Sequence, residues 1–359
     1  MGRDREGNVN HGPGGRLGTM VGLAAAGILI LVVAGCAASG PTRSTPSPVP
    51  PTPAPTPTIA AATPSPSPEV TPSPASPSPA LTYPVVNSCD PASVPGAVAV
   101  TTPATPVAGF FRLRVPILMY HRIVPRAEAG NSIAGLVVPP DLFDAQLTAL
   151  ATAGWHTITL GTLANDLAAH VTPPAKTLVI TIDDGWDDGY NYAFPILEGH
   201  GFVATYFVIA GRIDTPDFLS SAHLQALVAA GDEIGDHTMN HVNLAKSTAS
   251  TVKFEVDAAA ARIAQVTGYW PQSLAYPSGT VNSGATAGVA ACGQLRIAVI
   301  EGALQVTTTT PPGPGQTQGS PTTEQWQGYE TWAVRFTIPR IRVTYGTTPA
   351  ILLGLVVYQ

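Results

Sequence analysis

Residues 177–189, TLVITIDDGWDDG, limit the fold of this chain more than any other stretch. An apolar, largely β-branched run (Leu178, Val179, Ile180, Ile182) leads into two adjacent carboxylates, Asp183 and Asp184, and then a glycine. A short apolar run closed by Gly reads as a buried strand opening into a turn. The C-terminal end of a parallel strand is where α/β folds collect their chemistry. Alone, the pair reads equally well as a solvated turn after a core strand. Its meaning depends on partners elsewhere in the chain.

Around this strand the pattern alternates. Residues 115–120 (VPILMY) form a strand-like run ending at His121, and residues 141–154 carry apolar side chains at helical spacing, with Asp141 as expected N-cap and Gly154 as stop. A strand at 155–160, a short helix at 163–169, the strand at 178–182 and a helix at 192–200 follow. Then come a strand at 203–209, a helix at 220–231 with a Ser cap and a terminal Gly, and a short strand at 233–235. A long amphipathic helix at 246–268 precedes strands at 273–276, 296–300 and 334–343, and residues 307–327 read as an exposed loop. Repeated strand–helix alternation implies a parallel sheet. At about 250 residues, an α/β fold closed as a (β/α) barrel is expected.

The N-terminal quarter has a different character. Arg3, Arg5 and Arg16 precede the apolar run 21–33, which at about 1.5 Å per residue spans roughly 20 Å, short of a ~30 Å hydrocarbon core. A secretion signal is expected rather than a permanent span. It runs into Val33-Ala34-Gly35-Cys36, which resembles a bacterial lipobox with Cys36 as the lipidated residue. Residues 37–83 are dominated by Pro, Ser, Thr and Ala, cannot bury a core, and read as an extended stalk. The expected organisation is therefore a signal at 1–36, a disordered linker at 37–83 and a catalytic domain at 84–359 with its core at about 115–345. The expected location is extracytoplasmic, lipid-anchored to the outer face of a bacterial cell membrane. Cys89 and Cys292 can pair in such a compartment. The net charge of −6, with 11% charged residues, gives no nucleic-acid footprint, and a monomer is expected.

The partner of the aspartates is residues 237–241, HTMNH. Histidines at i and i+4 share a face on a helical turn, about 5–6 Å apart at Cβ, and one carboxylate completes a His₂Asp metal site. TIDDG, HTMNH and Ala275-Tyr276-Pro277-Ser278-Gly279, with VPILMYH, LVAAGDEIGDHTMNH and FTIPRIRV, occur in the order and rough spacing of the polysaccharide deacetylases, carbohydrate esterase family 4. The chain resembles this family over about residues 116–343, and its LMYHR stretch resembles the poly-N-acetylglucosamine deacetylase-like subgroup. The resemblance implies a distorted barrel, usually of seven strands, that removes acetyl groups from N-acetylated and less often O-acetylated sugars.

Carried over position by position, the resemblance implies Asp184, His237 and His241 as metal ligands and Asp183 as general base. The implied cofactor is a divalent metal, Zn²⁺ first, with Co²⁺, Ni²⁺ or Mn²⁺ as alternatives. Such an ion acidifies water and polarises an acetyl carbonyl, while a free carboxylate takes the proton. Tyr276, Pro277 and Ser278 are implied substrate contacts, with the Ser278 N–H facing the oxyanion. Two departures stand out: no histidine follows His241, and Ala275 occupies the usual third-motif arginine position. His121 is the candidate acid or substrate contact, and Arg340 the candidate replacement charge. Trp186, Tyr190 and Tyr276 are candidate sugar-stacking aromatics. The expected substrate is an acetylated polysaccharide. An inactive glycan-binding lipoprotein and an O-acetyl xylan esterase on the same scaffold are the competing readings.

Overall fold

The computed structural model describes residues 84–100, 107, 111–302, 330, 331 and 334–357. The leader, Cys36, the stalk and the 307–327 loop lie outside these residues. The chain divides into Met1–Ser73 and Pro74–Gln359, and all described residues belong to the second unit.

Seven parallel strands close on themselves. They are β1 (Ile117–Tyr120), β2 (Thr177–Ile182), β3 (Thr205–Val208), β4 (Glu233–Asp236), β5 (Ser273–Ala275), β6 (Ile297–Glu301) and β7 (Ile338–Arg342). Each pairs with its neighbour in sequence, and β7 returns to β1 with Ile341 opposite Leu118. β1 and β2 pair with Leu118 opposite Ile180 and Tyr120 opposite Ile182. The expected (β/α) barrel is observed. Its strands are short and almost wholly buried, as strands covered on both sides must be.

The helices are α1 (Pro140–Thr152), α2 (Leu160–Ala169), α3 (Phe194–Gly199), α4 (Ser221–Ala230), α5 (Ala249–Thr267), α6 (Ser283–Ala291) and α7 (Pro349–Val357). On α2, Leu160, Leu163 and Leu167 cluster with Ile117, Val179, Val299 and Ile338 of the strands. Each such buried side chain contributes about 1.5–3 kcal/mol. Because Val179 lies near the start of β2, α2 covers the N-terminal half of the barrel and leaves the strands' C-terminal ends for chemistry. Glu233 secures it from inside, accepting from the Gly161 N–H at 2.7 Å and the Ser273 hydroxyl at 2.6 Å.

Three local expectations are corrected. Asp141 lies within the first turn of α1, whose cap position is Pro139, because Pro140 is well suited to the first helical position. The stretch 155–160 is strand only at His156–Thr157, since Thr159 caps α2 and accepts from the Thr162 N–H. Residues 237–241 form a loop rather than a helical turn, with Thr238 and His241 at positive φ. By contrast, α4 starts and stops where expected: Ser220 and His223 form a capping box, and Gly231 closes the helix at φ +99°.

Cys89 and Cys292 are joined in a disulfide with Cα atoms 5.3 Å apart, closing a separation of 203 residues. The bridge ties the segment before the barrel to the residue that ends α6.

Candidate active site

The functional side chains converge where the strands end. His121 follows β1, Asp183 and Asp184 follow β2, and His237 follows β4, so three chain segments meet at one rim. The Asp183 N–H donates to the Tyr120 carbonyl at 3.0 Å, extending the ladder just past both strands. Asp184 and Gly185 then turn sharply, at φ +75° and +74°. At Gly185 a side chain is excluded twice over, by this conformation and by Val208 atoms 3.1 Å from where a Cβ would sit.

Asp183 is 2% exposed and carries a fork of two bonds from Arg340: Nη1 to Oδ1 and Nη2 to Oδ2, each 2.7 Å. Arg340 projects from β7, is itself 2% exposed, and also donates to Thr181 Oγ1 and the Ile300 carbonyl. Burial works to raise the Asp183 carboxyl, but the charge and hydrogen bonds of Arg340 outweigh it and hold it below the usual range. The expected replacement charge is thus in place on a late strand. It supplies the bidentate contact that Ala275 cannot.

Asp184 faces the two imidazoles. Its Oδ1 lies 3.4 Å from His237 Nε2 and 3.5 Å from His241 Nε2, and the three ligand atoms all lie within 4.8 Å of one another. His237 is 2% exposed, and its Nδ1 sits 2.8 Å from the Ala275 carbonyl, which can only accept. Nδ1 therefore carries the proton, and Nε2 presents a lone pair toward Asp184 when the ring is neutral. The donor set, one carboxylate and two imidazoles, fits a divalent ion with an open coordination position. Burial opposes the charge on Asp184, but His237, then His121 and His241, hold its carboxyl well below the ordinary value.

The histidine loop is held by tertiary contacts rather than by a helix. Asp236 accepts from the Thr238 N–H at 2.6 Å, and Thr238 Oγ1 accepts from the His241 N–H at 3.0 Å. From α5, Glu255 takes the Met239 N–H on its carbonyl and both the Asn240 N–H and side-chain amide on its carboxylate. Burial pushes the Asp236 carboxyl well above the usual range, and its Oδ2 has no hydrogen-bond partner among the described residues.

His121 stands beside this centre, with Nε2 4.0 Å from Asp183 Oδ2. Burial lowers its pKa more than Asp183 and Asp184 raise it, which keeps the imidazole neutral near pH 7. Tyr276 and Pro277 are corrected as side-chain contacts: both are buried, Tyr276 at 1% exposure and within the core that side chains of α5 and α6 share. Ser278 is exposed, at φ +61°. Tyr190 stacks on His223 at 4.2 Å and on Phe194, so it too is packing.

A groove of about 800 Å³ runs from Asp184 past Trp186, Arg122, Tyr192 and the loop around Asn131. Arg122 pairs with Asp188 and donates to Ser132 Oγ at 3.0 Å, and Glu128 accepts from the Tyr192 hydroxyl at 2.8 Å. Asp188 also accepts from the Ile123 N–H, which makes it a buried clamp. The sequence carries no periodic signal for this wall, because its partners come from separate loops.

Residues 170–296 match the family described as polysaccharide deacetylase. YxkH of Bacillus subtilis, whose name places it provisionally among polysaccharide deacetylases, is 34% identical over 131 residues, 36% of this chain and 44% of that protein. A peptidoglycan-N-acetylglucosamine deacetylase of Bacillus cereus is 36% identical over 83 residues, 23% of this chain and 36% of its own. The matched stretch therefore spans less than half the length of these relatives. The structure of the Streptococcus pyogenes deacetylase PplD in complex with acetate superposes with a TM-score of 0.55 at 25% identity, covering 67% of this chain and 97% of that one. Together with the closed barrel and the converged side chains, these matches support a polysaccharide deacetylase domain in this chain.

Proposed function

We propose that the chain is a divalent-metal-dependent hydrolase that removes N-acetyl groups from a glycan, an N-acetylglucosamine polymer of the cell wall or an exopolysaccharide. The observation that carries this reading is a buried, arginine-held carboxylate, Asp183, adjoining three ligand atoms within 4.8 Å of one another. Asp184, His237 and His241 would hold the ion, Zn²⁺ by preference. Once bound, it supplies Lewis acidity toward water and toward the acetyl carbonyl.

The remaining work falls to the chain. Asp183, kept ionised by Arg340, takes the proton of the attacking water. The Arg340 fork uses one acceptor position on each carboxylate oxygen and leaves the others open. The Ser278 N–H is the proposed donor to the tetrahedral oxyanion. An amide nitrogen leaves only when protonated. His121, neutral and 4.0 Å from Asp183, receives the proton from that carboxylate and delivers it to the amine, so that acetate and a free amine result.

Acetate release from acetylated chitooligosaccharides tests the reading. It requires loss of release on chelation, recovery with Zn²⁺ or Co²⁺, and a drop of about 10²–10⁴-fold in Asp183→Asn. Undiminished release from that variant would sink it. The role of His121 has its own test: His121→Ala slows amide cleavage but spares 4-nitrophenyl acetate, whose leaving group needs no proton. Equal losses on both substrates would remove His121 as the acid.

Sequence alone supports the remaining proposal, that Cys36 is lipidated and that residues 37–83 hold the domain away from the outer face of the membrane. The mass of the mature N-terminus tests it, and an uncleaved leader would reject it.

A further inference from the structure

Asp184 must present one particular oxygen to two imidazoles, and a carboxylate is free to rotate unless its other oxygen is held. Here Oδ2 accepts from the indole Nε1–H of Trp186 at 3.2 Å, while Oδ1 faces His237 and His241. The indole is itself clamped. Phe218 stacks on it with ring centroids 4.5 Å apart and planes inclined by 21°, and the Arg122 guanidinium carbon lies 4.2 Å from its ring centroid. Two groups that close to one ring must take opposite faces, so both faces are covered and no sugar can stack there. The clamps have their own anchors: Phe218 shares a backbone bridge with Trp186, and Arg122 is tied to Asp188 and Ser132.

We propose that Trp186 is a positioning residue of the metal centre rather than a glycan platform, its indole N–H selecting which oxygen of Asp184 faces the ion. The inference rests on the metal centre proposed above. A donor to an ionised carboxylate is among the stronger hydrogen bonds, and partners one step behind a metal ligand affect affinity as well as geometry. Along the groove wall, Asp188, Arg122, Trp186 and Asp184 thus form one continuous chain of contacts ending at the ion.

The test replaces Trp186 with 3-benzothienylalanine, which keeps the bicyclic shape and puts sulfur where the N–H was; Trp186→Phe is the simpler companion. Co²⁺ titration, followed by visible absorption, reads metal affinity without turnover. Both replacements are expected to weaken Co²⁺ binding by about 10–100-fold. The metal-free isostere should unfold at the wild-type temperature, and KM for acetylated chitooligosaccharide at saturating metal should not change. An isostere that binds Co²⁺ as tightly as wild type overturns the inference and leaves the metal centre standing. A raised KM with unchanged metal affinity also overturns it, in favour of sugar stacking. A wild-type protein that takes up no Co²⁺ brings down the metal centre and this inference together.

Discussion

Asp183 and Arg340 illustrate how a charge survives inside a barrel. Each is 2% exposed, and each is tolerable only because the other is there. Removing one partner of such a pair leaves a buried charge with nothing opposite. Arg340→Met is therefore expected to destabilise the domain by about 3–5 kcal/mol, with most of that loss recovered in Arg340→Met/Asp183→Asn. Urea unfolding of the four proteins of the cycle checks this, and additive losses would contradict it. A second buried carboxylate behaves in the opposite way. Asp232 accepts from the Ala204 N–H, and burial raises its pKa from 3.8 to about 7. The folded state thus binds this proton more tightly than the unfolded chain. Its stabilising effect is complete below about pH 4 and fades as pH rises toward 7. Asp232→Asn keeps the acceptor and loses the titration, so its stability relative to wild type should climb between pH 4 and 7 and then level off.

Among the elements, the turn after β2 governs the site. Asp184 and Gly185 are both left-handed there, which costs the aspartate but aims its carboxylate at the histidine loop. Gly185→Ala would meet that backbone strain and the Val208 atoms 3.1–3.2 Å away. A loss of more than about 1 kcal/mol is expected, with weaker metal binding because Asp184 shifts. Denaturant unfolding and Co²⁺ titration measure the two effects separately. Helix α4 offers a control that carries none of the three ligand atoms. Ser220→Ala breaks its capping box and should lower stability by about 1 kcal/mol while leaving metal affinity alone.

For the molecule as a whole, the barrel closes because β7 returns to β1, and the Cys89–Cys292 bridge spans 203 residues around it. Constraining so long a loop in the unfolded chain contributes typically about 2–4 kcal/mol, so Cys89→Ser should lower the melting temperature, as should reduction. Unchanged melting on reduction would show that the bridge adds nothing. The alternation of periods in the sequence was enough to determine a parallel (β/α) architecture, because strand and helix patterning is local and repeats along the chain. Asp183, Asp184, His237 and His241 lie in two contiguous motifs whose resemblance to the family pattern implied the roles proposed above, and the fold brings the ligand atoms of the last three within 4.8 Å of one another. Tertiary structure alone decided the rest. HTMNH is a loop because Glu255 and Asp236 satisfy its backbone from outside. Arg340 reaches Asp183 across 157 residues, and Trp186 is sandwiched edge-on to Asp184 instead of open to sugar. The covered aromatic, the buried Tyr276 and the arginine fork depend on which strands become neighbours when the sheet closes, and no local period encodes that.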